Sequence, residues 1–129
     1  MWAASAGRKV IWIDTDAAWT QDGALCPACG AVLERPADAG WRCPGCGLAK
    51  PEPSYRVQGA TIVGPQGQRW TPQLRVPGSF NIGNAACALA AAVVVGADPD
   101  DAISRMDTVE APAGRFGEVS FDGERSRLL

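Results

Sequence analysis

The 129-residue chain contains no histidine. That excludes a Ser-His or Cys-His nucleophile and any two-histidine metal site. Neither G-x-x-x-x-G-K-[ST] nor G-x-G-x-x-G occurs, so the main phosphate cradles of nucleotide hydrolases and dinucleotide enzymes are missing from this stretch. Long apolar runs are also missing. The longest, AACALAAAVVV over 85–95, is well short of the roughly 20 residues of a membrane-spanning helix. The opening MWAASAGRK lacks the apolar core of a signal peptide. These shortages predict a chain that is not transmembrane and works in the cytoplasm. There is no excess of positive charge either. The formal net charge is −2, and four thiolates holding one Zn²⁺ would add a further −2. A chain-wide basic field for nucleic acid is absent.

Cysteine, by contrast, is concentrated. Four of the five cysteines lie in CPACGAVLERPADAGWRCPGCG, with the spacing C-x2-C-x13-C-x2-C at Cys26, Cys29, Cys43 and Cys46. In a reducing compartment this reads as metal ligation, not as disulfides. A glycine follows the second cysteine of each pair. It permits a tight turn whose backbone N–H groups point at the sulfurs. Two such knuckles face to face make a tetrahedral all-sulfur site suited to structural Zn²⁺; iron in a rubredoxin-like arrangement uses the same ligand set. Four thiolates close the coordination sphere, so the expected role is a structural staple for an excursion too small to hold a core unaided. Cys87 sits in the Ala-rich stretch and is expected to be a small core residue.

The rest of the chain predicts an α+β fold with a small sheet and two helices. RKVIWID over 8–14 reads as a strand buried on both faces. After the Pro-rich exit KPEPSY, short β-like pieces are expected at Tyr55/Val57, Ile62/Val63 and Leu74/Val76, with Gly59 and GPQG as turns. A helix is expected from about Asn81, capped by Ser79 or Asn81 and stopped at Gly96. A second is expected from Asp98, with Pro99 in its first turn, to about Asp107 or Thr108. DG at 122–123, between alternating runs, signals a hairpin. Asp14, Asp16 and Glu118 read as turn or surface groups with no catalytic part.

One further phrase calls for explanation. PGSFNIGNAACALAAA places Asn81 and Asn84 three apart at the head of an apolar helix. Taken alone, the two amides are capping and turn chemistry, or they read the edge of a planar heterocycle. GSFNIGNAACALAA resembles the G-x-F/H-N-x-x-N-x-x-A-A motif in the ATPase domain of the Mur ligase family, with Cys87 at the first alanine of the closing pair. AGRFGEV over 113–119 is similar to that family's following G-R-F/Y-E phrase, with Gly117 as an extra residue. A four-cysteine ribbon just before these motifs looks like one branch, the Mur-ligase-like subunits (MurT) of lipid II isoglutaminyl synthases.

The resemblance covers the chain from about Val10 onward. It implies a fragment, 1–129, of the central ATP-binding domain, which is α/β in the parent, with a zinc ribbon inserted over 24–50. It implies that Asn81 and Asn84 approach the adenine of ATP and that Arg115 reaches its phosphates. The family reaction it implies is ATP- and Mg²⁺-dependent amidation of the D-glutamate α-carboxylate of lipid II in peptidoglycan biosynthesis. That reaction runs through an acyl phosphate, with ammonia from a GatD-like glutaminase partner in a heterodimer. The family's phosphate loop and C-terminal domain belong outside this stretch, so the fragment is expected to be inactive alone. The competing reading is a freestanding zinc-ribbon module that binds nucleic acid or protein, or a remnant that binds zinc alone.

Overall fold

The computed structural model describes residues 7, 10–16, 23–36, 40–110, 118–121 and 124–127, the last two segments as backbone. Four short strands form one sheet in the order β1-β2-β3-β4: Ile13–Asp14, Tyr55–Gln58, Thr61–Val63 and Arg69–Trp70. β1 and β2 are parallel, with Ile13 opposite Tyr55; the other two pairings are antiparallel. Two helices follow, α1 over Phe80–Val94 and α2 over Pro99–Arg105, and a 3₁₀ turn over Met106–Thr108. The hairpin β5–β6, Glu118–Phe121 with Glu124–Arg127, is a separate two-stranded sheet. Its strands pair as DG predicts, although 122–123 lie outside the described residues. The α+β expectation is met.

Alternation builds the core. In β2, Tyr55 and Val57 point inward and Arg56 and Gln58 outward; Ile62 in β3 joins them, fully buried. On the helix side they meet Ala85, Ala86, Leu89 and Ala90. Small side chains let α1 approach closely. A Cβ at Gly83 would lie 2.9 Å from Cβ of Thr15, just past β1, so glycine is required there by contact with its neighbour. α2 is pinned from the sheet, since Trp70 Nε1 donates to Asp100 Oδ1 at 2.7 Å.

Helix ends follow local chemistry. Asp98 Oδ1 accepts from the N–H groups of Asp100 and Asp101 at 2.9 and 3.1 Å, with Pro99 in the first turn, as predicted. At the end of α1, Ala97 N–H bonds Ala92 O and Gly96 N–H bonds Val93 O. That is a Schellman closure, with Gly96 at φ 91°.

Four expectations need correction. β1 is two residues long and half-buried, not a run buried on both faces. It lies at the sheet edge, with one neighbour to pair with. The third meander strand is Arg69–Trp70, not Leu74/Val76. The 64–67 turn, closed by Gly64 N–H to Gln68 O at 2.8 Å, returns the chain at once, while Leu74 packs against the core from a loop. Neither Ser79 nor Asn81 caps α1 through its side chain, because Ser79 is already helical in φ/ψ and Asn81 lies inside the helix. Cys87 is exposed, not core. It shares the outer face of α1 with Phe80, Asn84, Ala88, Ala91 and Val94. Apart from Asn84 that face is apolar, so α1 is apolar on both sides.

Candidate metal centre

The two cysteine knuckles are built alike. Cys26 N–H bonds Ala31 O at 2.8 Å, and Gly30 N–H bonds Cys26 O at 2.8 Å. In the second knuckle Cys43 N–H bonds Leu48 O at 2.6 Å and Gly47 N–H bonds Cys43 O at 3.0 Å. Gly30 and Gly47 sit at φ 75° and 74°, a left-handed backbone in which a side chain is strained. That is why each knuckle ends in glycine. Antiparallel bridges Leu25 to Val32 and Arg42 to Ala49 close the two knuckles, and Glu34 to Arg42 joins one to the other. Arg42 pairs on both sides, and its Nε holds Glu34 Oε2 at 2.8 Å across the ladder.

This frame brings the four sulfurs within 4.8 Å of one another. Cys26 and Cys46 approach to 3.6 Å and Cys29 and Cys43 to 3.4 Å. Four sulfurs placed tetrahedrally at about 2.3 Å from a metal stand roughly 3.8 Å apart, so the donor set fits a tetrahedral thiophilic ion such as Zn²⁺. Cys26 and Cys43 are buried; Cys29 and Cys46 are exposed. The site thus has a closed and an open side.

Backbone N–H groups are aimed at the sulfurs, as the knuckle motif predicts. Ala28 N–H lies 3.4 Å from Cys26 Sγ. Burial raises the Cys26 thiol, but the N–H groups of Ala28 and Cys29 and the sulfurs of Cys43 and Cys46 outweigh it and bring it down to about 7. At Cys46 the Leu48 N–H favours the thiolate, yet the crowded sulfurs of Cys43 and Cys26 push it up to about 12. Cys29 is likewise raised, the Ala31 N–H and the Cys46 sulfur being outweighed by the sulfurs of Cys43 and Cys26 and by desolvation. One sulfur that ionises readily beside two that resist marks acids crowded into one place, and a bound cation would relieve the conflict by favouring the thiolates.

The paired asparagines lie apart from this centre in sequence, at the head of α1. Asn81 is buried. Its Nδ2 donates to Pro77 O at 2.6 Å, and its Oδ1 accepts from Asn84 Nδ2 at 2.9 Å. Both ends of the Asn81 amide are therefore spent on the fold. Asn84 is exposed, with one N–H engaged and, among the described residues, no partner for its remaining N–H and oxygen. The structure joins these two residues by one hydrogen bond, with Asn81 buried and Asn84 exposed. Arg115 lies outside the described residues. Asp14 is tied to Lys50 Nζ at 2.6 Å across the exit of the ribbon. The Lys50 ammonium holds its carboxyl below the usual carboxylate range. That pair had no signal in the sequence, since its members are thirty-six positions apart. Asp16 is exposed, and Glu118 lies in β5.

No protein-family model and no curated protein matches the sequence. Among solved structures, the chain is similar to a pseudomurein peptide ligase type C from Methanothermus fervidus, with a TM-score of 0.60 and 25% identity over 74% of this chain. The chain spans about a fifth of that ligase, 21% of its length. The chain thus has a Mur-ligase-like structural neighbour and carries a four-cysteine cluster.

Proposed function

We propose that this chain is the part of an ATP-dependent amidating ligase that receives the base end of ATP. In this reading the parent is the Mur-ligase-like subunit of a lipid II isoglutaminyl synthase, and the ribbon is a structural zinc site within its central domain. The observation that carries the reading is the 25% identical likeness to a pseudomurein peptide ligase over 74% of the chain, joined to the ribbon that precedes the paired-asparagine helix. The apolar outer face of α1 supports it as well. A helix apolar all round belongs inside a larger fold, where the rest of the central domain would cover it.

The residues present fit a nucleotide base. Asn84 offers, among the described residues, an unspent donor and acceptor on one exposed amide, the pair of groups an adenine edge requires. Asn81 fixes that amide from below, and Pro77 O fixes Asn81. ATP, with Mg²⁺, would supply the phosphoryl group that activates the D-glutamate α-carboxylate for attack by ammonia. This chain's own contribution is to orient the base. Arg115, by the family likeness, would reach the phosphates, where a permanently charged fork suits oxygen ligands. Ammonia would come from a glutaminase partner.

The test is ATP binding by the zinc-loaded parent protein. Asn84→Ala should weaken it about ten-fold, the loss of roughly one good hydrogen-bond pair. Unchanged affinity would leave the asparagine pair as helix-end chemistry alone and would remove the nucleotide reading.

A further inference from the structure

A groove of about 390 Å³ lies where the ribbon meets the segment leading into β1. Trp12 and Trp41 wall it with Leu25, Leu33, Pro27 and Pro51, and among the described residues Arg35 is the single charged one on its lining. We propose that this groove docks an extended acidic segment of a partner protein, seating an apolar side chain between the tryptophans and a carboxylate on Arg35. It is a separate surface from the asparagine pair and does not depend on the nucleotide reading.

Three observations select this occupant. First, the apolar surface does not stop at the groove. Leu25 is 60% exposed, and its cross-strand partner Val32 is 67% exposed. Directly opposed residues of an antiparallel pair share one face, so the apolar strip runs on past the cavity mouth. A small molecule would fill the cavity and leave that strip wet; a polypeptide covers both. Second, aromatic walls interleaved with proline are the surface on which extended, proline-containing segments lie, because they need no further ordering to bind. Third, the charge is one-sided. Arg35 Nη2 donates to Gly23 O at 2.6 Å, which fixes the guanidinium at the rim. Among the described residues it has no carboxylate partner, while the adjacent Glu34 is taken by Arg42. A fixed guanidinium with unspent N–H groups calls for a carboxylate and repels a basic segment.

The walls are held by the metal knuckles. Leu25 precedes Cys26, Pro27 lies between Cys26 and Cys29, and Trp41 stands two residues before Cys43. Docking is therefore zinc-dependent, and the ribbon gains a role beyond stapling.

The test titrates the zinc-loaded chain, labelled with ¹⁵N, with the capped peptide GDLPLDG and with its basic counterpart GKLPLKG. Indole N–H signals of Trp12 and Trp41 report on the groove. Trp70, whose indole is tied to Asp100, is the internal reference. The acidic peptide should shift both groove indoles and bind about five-fold more tightly than the basic one, the worth of an exposed ion pair. Arg35→Glu should reverse that preference, and Leu25→Asp should weaken both peptides. Unaltered zinc content shows that each variant keeps the ribbon, and Arg35→Gln, which should only abolish the preference, covers a failure of Arg35→Glu to fold. The proposal is overturned by equal binding of both peptides, by no shift at about 1 mM peptide, by a Trp70 shift as large as the others, or by groove shifts that follow protein concentration without peptide.

Discussion

Replacing each asparagine of the pair in turn separates an architectural residue from a binding one. Asn81→Ala removes two hydrogen bonds from a side chain that is 8% exposed, one to Pro77 O and one from Asn84. At about 1 kcal/mol net for each neutral bond the loss is about 2 kcal/mol, of which the change to the best helix former returns roughly 0.6 kcal/mol, leaving about 1.4 kcal/mol. Asn84→Ala removes one of the same bonds from an exposed position. It leaves Asn81 Oδ1 without a donor, about 1 kcal/mol, but replaces asparagine by the best helix former, which returns roughly 0.6 kcal/mol. The net cost is below about 0.5 kcal/mol. In thermal melts of the zinc-loaded chain, Asn81→Ala should lower Tm on the order of 6 °C and Asn84→Ala by roughly 2 °C or less. In the parent protein the order should invert for the direct contact, with Asn84→Ala weakening ATP binding while barely moving Tm. Equal destabilisation by the two variants, or a wild-type melt for Asn81→Ala, would refute this division of labour.

Other expectations rest on single contacts. Gly83→Val should destabilise by about 2 kcal/mol, because its Cβ would meet Thr15 at 2.9 Å and overpacking outweighs any gain in helix propensity; Thr15→Gly should restore part of the loss in a double-mutant cycle. Chelation of the metal should abolish protection of the ribbon amides in hydrogen exchange while those of α1 persist, and simultaneous loss of both would show that the ribbon supports the whole fold. The Asp14 carboxyl is lowered by Lys50, so its contribution is present above its unfolded value near 3.8 and disappears as pH falls through the lower folded value. In urea melts Asp14→Asn should be less stable than wild type at pH 7, and the difference should close in strong acid. A difference that persisted there would assign the effect to packing.

How far the residues foretold the structure differs from element to element. The ribbon was legible because metal geometry is written in spacing: two C-x-x-C-G turns can converge on one ion in few ways. The Asp98 cap was legible because Asp, Pro and two further acids all favour one end of a helix. The sheet was less so. Leu74 and Val76 carry a strand-like alternation, but Leu74 spends its apolar surface on the core from a loop, while the pairing goes to Arg69 and Trp70 because the 64–67 turn is tight. In α1 nearly every residue is apolar, so periodicity could not say that Cys87 faces outward. Asn81, like Ser79, has the chemistry of a cap, yet its amide is consumed by Pro77 O and Asn84, a contact that depends on how the preceding loop enters the helix. The groove at Trp12, Arg35 and Trp41 is assembled where the segment before β1 meets two bridged stretches of the ribbon and had no signature at all.

The measurement that bears most directly on the central claim is the product made by the parent protein with its glutaminase partner, given ATP, Mg²⁺, lipid II and glutamine labelled with ¹⁵N in the side-chain amide. The account predicts transfer of the label to the D-glutamate α-carboxylate as an amide, with one ADP and one phosphate released per amide formed. Joining of that carboxylate to an amino acid, or ATP hydrolysis with no labelled amide, would contradict it.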